Sequence, residues 1–130
     1  MKYLKKKKLV LRTLAMPENI NVNGDIFGGW IMSQMDIAGS ILAKEISKGK
    51  VVTLKIENML FLKRISIGDL VSCYAKCIEI GNTSIKISIE TWVKKISFEP
   101  LGLNIKSSQG VFIYVAIDNY GNPTPVLKKN

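Results

Sequence analysis

The chain contains no histidine among its 130 residues, and that absence narrows any chemistry it performs. Imidazole is the side chain that most readily moves protons near neutral pH, so acid-base work here falls to Asp, Glu, Lys, Tyr or Cys. Cysteine is almost as scarce. Cys73 and Cys77 are the only two; on one strand they share a face about 13 Å apart, which excludes a mutual disulfide. Without histidine or a second cysteine cluster no metal site is expected, and both thiols read as buried apolar groups. Aromatic residues make up 8% and do not interleave with basic residues as a stacking platform for nucleic acid would require. No apolar run approaches the ~20 residues that span a bilayer. The opening MKYLKKKKLV looks like the charged start of a signal peptide, but Arg12 interrupts the apolar stretch and no small-residue cleavage pattern follows. We expect a cytoplasmic protein with no membrane insertion.

What is present fits one ordered domain over residues 1–130: hydrophobic residues reach 47%, charged residues 22%, and neither repeats nor low-complexity runs break the chain. A chain of this size can bury roughly two-thirds of its extended surface. Acids are outnumbered, 10 against 19 Lys and Arg, for a net charge of +9. Lys5 to Lys8 sit in a basic arm at 1–8 that is expected to fray, and Lys128 and Lys129 in a tail at 119–130. We read the excess first as solubility and compositional drift, second as suiting a small polyanionic ligand, and expect no nucleic acid partner.

Leu9–Met16 has the apolar density of a short strand, and Pro17 followed by ENINVNGD marks a loop. From Gly28 to Lys48 the period changes. Ile31, Met35, Ala38, Leu42 and Ile46 follow one helical face, and Trp30, Ile37 and Ile41 widen it toward most of the circumference, so the helix should be wrapped. Gly49 supplies the expected stop. Val51–Leu62, Leu70–Ile80, Ile85–Lys95 and residues 109–118 then read as four strands, with turn signals at Gly68-Asp69, Gly81-Asn82 and Gly121-Asn122. Short connections imply antiparallel neighbours. The expected architecture is α+β, an antiparallel sheet of about five strands around one long central helix. Its open side and edge strand call for at least a dimer.

Within the helix, Asp36 lies about 120° from the main apolar stripe, among Met32, Gly39 and Ala43 rather than among charges. A solvated acid would keep company with charged residues, as Lys44, Glu45 and Lys48 do farther along. Gly39 and Ser40 would let another chain or a ligand approach the helix there. Asp36 is therefore either a carboxylate satisfied by a cation elsewhere in the fold or one that does chemistry. Asp25 and Glu57 compete for that role, Asp25 reading more naturally as a loop or capping acid. Gly28 and Gly29 open the helix, where free N–H groups and the positive dipole end suit a carbonyl oxygen gaining charge.

The block NVNGDIFGGWIMSQMDIAGSILAKEISKGKVVT, with IKISIETWVKK and SFEP later, resembles the YciA-type acyl-CoA thioesterases of the hotdog fold, and the likeness runs from about Leu11 to Asp118. The resemblance implies a hotdog fold and metal-independent hydrolysis of acyl-CoA, with CoA as part of the substrate rather than a cofactor. It also implies active sites at a homodimer interface and assembly of dimers into hexamers. It places the catalytic carboxylate on Asp36 and a partner amide on Asn21, with Asn23 a nearby candidate that spacing leaves open, and has the N–H groups of Gly28 and Gly29 polarising the thioester carbonyl. Asn23, Asp25, Arg64, Ser84, Lys94 and Lys95 are its candidates for binding substrate and the CoA phosphates. Arg64 in FLKRISIGD stands where such enzymes typically have proline, Leu60 replaces a polar residue, and LGLNIKSSQG departs most. A hotdog dehydratase is set aside because it would need histidine. The non-enzymatic alternative is a catalytically silent acyl-CoA or nucleotide-binding hotdog protein.

Overall fold

The computed structural model describes residues 6–95 and 104–127. β1 (Lys8–Leu14) leads through a single 3-10 turn at Pro17–Asn19 to α1 (Gly28–Ser47), followed by β2 (Lys50–Phe61), β3 (Leu70–Ile80), β4 (Ser84–Lys94) and β5 (Asn104–Ile117). The strands form one five-stranded sheet in the order β1-β3-β4-β5-β2, antiparallel throughout. Observed limits match the expected ones within a residue or two, except that β5 begins at Asn104 rather than near 109. The SFEP segment at 97–100 and Lys5, Lys128 and Lys129 lie outside the described residues.

Strand order corrects one expectation. β2 and β3 are consecutive but not neighbours: β2 pairs with β5 at the far edge. The long helix crosses the sheet and delivers the chain to that edge, and residues 62–69 bridge back to β3. Three strand gaps are about 14 Å, well within reach of that segment.

The core follows the two periods. β4 alternates without a break, its inner Ile85, Ile87, Ile89, Thr91 and Val93 all buried, and they meet Ile31, Met35, Ala38, Leu42 and Ile46 of α1. The helix is wrapped on one side only. Ile37 and Ile41 remain 46% and 40% exposed, and Leu54, Leu60 and Phe61 of the edge strand β2 are exposed too. A second subunit would cover this face, and one chain does not. The helix stop also differs from expectation: Lys48 takes the left-handed conformation at φ 56° and closes the last turn onto the Lys44 carbonyl. Ser47 Oγ then bonds Gly49 on both its N–H and its carbonyl, fixing the entry to β2.

The arm and tail are tied down where they are described. Lys7 pairs with Glu90 at 2.7 Å and lies over the rings of Tyr74 and Trp92, so the arm from Lys7 onward packs on the outer face of the sheet instead of fraying. In the tail, Val126 is buried and its N–H donates to the Asn82 carbonyl at 2.8 Å. Cys73 and Cys77 are free and buried, as expected. Burial pushes the Cys73 thiol up to about 11, and the Cys77 thiol upward as well. No described helix is long and apolar enough to cross a membrane.

Candidate active site

The loop before α1 is organised by Asn21. Its side-chain Oδ1 accepts from the N–H groups of Asn23 at 2.8 Å and Asp25 at 3.2 Å, while Asn21 N–H donates to the Asp25 carbonyl. Gly24, at φ 82°, makes the tight return possible. Phe27 caps the helix without a side-chain bond, and the first intrahelical donors found on its carbonyl are Trp30 and Ile31. The N–H groups of Gly28 and Gly29 thus stand at the open helix start. A Cβ on Gly28 would come 3.2 Å from the Phe61 ring, whereas one on Gly29 would meet nothing. Glycine at 28 lets Phe61 close against the helix, and Gly29 leaves its side open.

Asn21, Asp25 and Gly28 line a cleft of about 230 Å³ together with Ile26, Ile31 and Phe61 to Ile65, while Gly29 lies just outside its lining. Arg64 pairs with Asp25 at 3.6 Å across it, its own side chain 82% exposed. Asn23 sits on the exposed loop tip.

Asp36 does not line this cleft. It lies eight residues beyond Gly28, about 12 Å farther along the helix axis. It is half-buried rather than buried. Among the described residues it has no cationic partner. Two hydroxyls hold it instead: Thr53 Oγ1 donates to Asp36 Oδ1 at 2.7 Å, and Tyr114 Oη reaches the same Oδ1 at 3.1 Å and the Asp36 carbonyl at 2.8 Å. Thr53 is exposed on the uncovered face, while Tyr114 is fully buried. Burial first, then the charge and hydrogen bond of Asp36, push the Tyr114 phenol far above its usual value, so it stays protonated and donates. Thr53 and Tyr114 escape a reading of the sequence alone. They are register partners on β2 and β5, and only the paired sheet brings them together.

The remaining candidates scatter. Glu57 points away on β2 and pairs with Lys55 at 2.9 Å, which lowers its carboxyl. Ser84 begins β4 and Lys94 ends it, about 33 Å apart, so one chain does not bring them to one site. Lys95 is not a surface cation: it is 8% exposed, with Nζ 2.6 Å from Asp69 Oδ2 and donating to the Arg64 carbonyl at 3.0 Å. Its ammonium fastens the cleft-lining loop from within. Gly39, expected to admit a ligand or another chain, admits the chain's own Tyr114, whose hydroxyl occupies the space a Cβ would take.

Residues 23–97 match the thioesterase superfamily. The acyl-CoA thioester hydrolase YciA of Salmonella typhimurium is 59% identical over 119 residues, covering 92% of this chain and 90% of its own length. Among solved structures, a mutant of a hexameric broad specificity acyl-coenzyme A thioesterase superposes with a TM-score of 0.91 at 54% identity, over 96% of this chain and 90% of that one. A hexameric hotdog fold thioesterase of Campylobacter jejuni gives 0.87 at 36% identity, over 92% and 90% of the two chains. With one long helix against a five-stranded antiparallel sheet and this degree of identity over nearly the whole length, the chain belongs to the YciA-type acyl-CoA thioester hydrolases of the hotdog thioesterase superfamily.

Proposed function

We propose that the chain hydrolyses acyl-CoA at a site divided between two subunits, to free CoA thiol and a carboxylic acid. One subunit contributes the cleft: the N–H groups of Gly28 and Gly29 receive the thioester oxygen as it gains charge, and Asn21 orients the water or the carboxylate. Its neighbour contributes Asp36, which takes a proton from water or attacks the carbonyl carbon. In the first route the hydroxide so formed adds to the carbonyl carbon and water's oxygen enters the product acid; in the second Asp36 forms a mixed anhydride with the acyl group, which water then cleaves to the free acid and the Asp36 carboxylate. In both the C–S bond breaks and the CoA thiolate leaves and is protonated.

The observation that carries this reading is the carboxylate itself. Asp36 has Oδ1 engaged by two hydroxyls and no neutralising cation among the described residues, and it is only half-buried. An acid that served only stability would be expected to have a cation or lie in open solvent. Arg64 at the cleft mouth and Lys94 at the end of β4 supply positive charge for the CoA phosphates. Lys95 contributes by holding the loop. Hexameric relatives fit the same division, because a shared site requires at least a dimer.

Release of CoA from an acyl-CoA panel, followed with a thiol-reactive dye, tests the reading. Asp36→Asn should lose about 10²-fold or more of the rate. Equal rates for variant and parent would remove Asp36 from the mechanism. CoA binding with no hydrolysis of any acyl-CoA by the parent would favour the silent binding protein.

A further inference from the structure

The geometry points to Tyr114 as a positioning residue that fixes which carboxylate oxygen of Asp36 reacts, with Gly39 as the opening through which it reaches; this rests on the catalytic role proposed for Asp36. One buried hydroxyl contacts two acceptors of a single residue, the main-chain carbonyl at 2.8 Å and side-chain Oδ1 at 3.1 Å. A donor that spans main chain and side chain of the same residue restrains the torsion between them, because rotation of the carboxylate abandons the Oδ1 contact. Thr53 adds a second donor to Oδ1 at 2.7 Å from the facing position on β2. Both donors fall on one oxygen. Oδ1 is quenched as a base or nucleophile, and Oδ2 is left as the working atom, held at a set angle.

The sequence makes room for this at a cost. Gly39 is buried in the middle of α1, where glycine is less favourable than alanine. A Cβ there would overlap Tyr114 Oη and come within 2.9 Å of its Cε2 and 2.6 Å of Ile89 Cδ1. Glycine three residues after Asp36 on the same face is thus what allows a β5 tyrosine to pass beneath the helix to the carboxylate. Phenylalanine at 114 would fill the same volume, so packing alone does not call for the hydroxyl.

Steady-state hydrolysis of one acyl-CoA by the parent, Tyr114→Phe, Asp36→Asn and the double variant tests the assignment. Losing a hydrogen bond to a charged group should lower kcat of Tyr114→Phe about tenfold with KM within about twofold. In the Asp36→Asn background the same substitution should cost less than about twofold, because its effect runs through that carboxylate. Gly39→Ala, which evicts the hydroxyl, should reproduce the loss in kcat. A Tyr114→Phe enzyme with the parent's kcat, or one that loses the same factor in both backgrounds, would overturn the inference. Asp36→Asn separates the two layers: an unchanged rate there defeats the reading of Asp36 itself, whereas loss there with an unimpaired Tyr114→Phe defeats only the role of Tyr114.

Discussion

Lys95→Met should be the most destabilising single change of a charged residue in the cleft-lining region, and the size follows from the burial of its partner. Lys95 Nζ lies 2.6 Å from Asp69 Oδ2, with side chains 10% and 3% exposed. The same Oδ2 accepts the Ser66 N–H at 2.8 Å, and Nζ also donates to the Arg64 carbonyl. Methionine preserves most of the stem and removes the charge, leaving the Asp69 carboxylate buried without its ammonium. Breaking one side of such a pair costs about 3–5 kcal/mol. With unfolding entropy near ~2.1 cal/mol/K per residue, a chain of 130 residues loses about 11–18 °C in melting temperature. Circular dichroism melts at matched protein concentration would measure it, since assembly itself contributes to the midpoint. Asp69→Asn combined with Lys95→Met should recover more than half of the loss, because asparagine keeps an acceptor for Ser66 and buries no charge. A Lys95→Met protein melting within about 3 °C of the parent, or a double variant melting no higher than the single, would refute the reasoning. The loop so fastened carries Leu62 to Ile65 of the cleft wall, so KM should rise in Lys95→Met more than kcat falls.

Other outcomes follow from the same contacts. Native protein at pH 8 should show no fast reaction of Cys73 with a thiol dye, since its thiol titrates near about 11, and both thiols should appear on unfolding; rapid labelling of folded protein would contradict their burial. The sign for stability is that the folded thiol keeps its proton above the ordinary value of 9.0, so stability should fall from pH 9 toward about 11. Glu90 works the other way: partial burial opposes its charge, but hydrogen bonds from Lys7, Trp92 and Lys106 hold its carboxyl down to about 2. That stabilisation is present above the ordinary value of 4.5 and lost as pH falls toward about 2. Urea melts of Glu90→Gln should accordingly show a flatter acid limb over that window; an unchanged limb would remove the network from the account.

Local patterns carried most of the fold. The unbroken alternation of β4 and the helical spacing from Ile31 to Ile46 depend on neighbours in sequence, and both were legible. The edge position of β2 was not, because it depends on how far α1 carries the chain across the sheet. Asp36 stood out through its apolar neighbours. Its partners Thr53 and Tyr114 look like ordinary strand residues until the register is known, and bulges at Thr53/Lys55 and Glu57/Leu60, with Asn58 at φ 54°, shift that register. Lys95 misled for a related reason: a lysine pair at the end of a strand reads as solvated, and only the packing of Asp69 beneath it turns one of the two inward.

The central claim is that each site draws Asp36 from one subunit and the Asn21–Gly29 cleft from another. Co-expression of Asp36→Asn with Asn21→Ala, each expected to lose most activity alone, tests it through the activity of the mixed oligomers. With random pairing about half of the dimers are mixed, and each mixed dimer holds one intact site of two, so about a quarter of the parent rate should return. Activity no higher than that of the two variants measured separately would place the whole site within one chain and contradict the account.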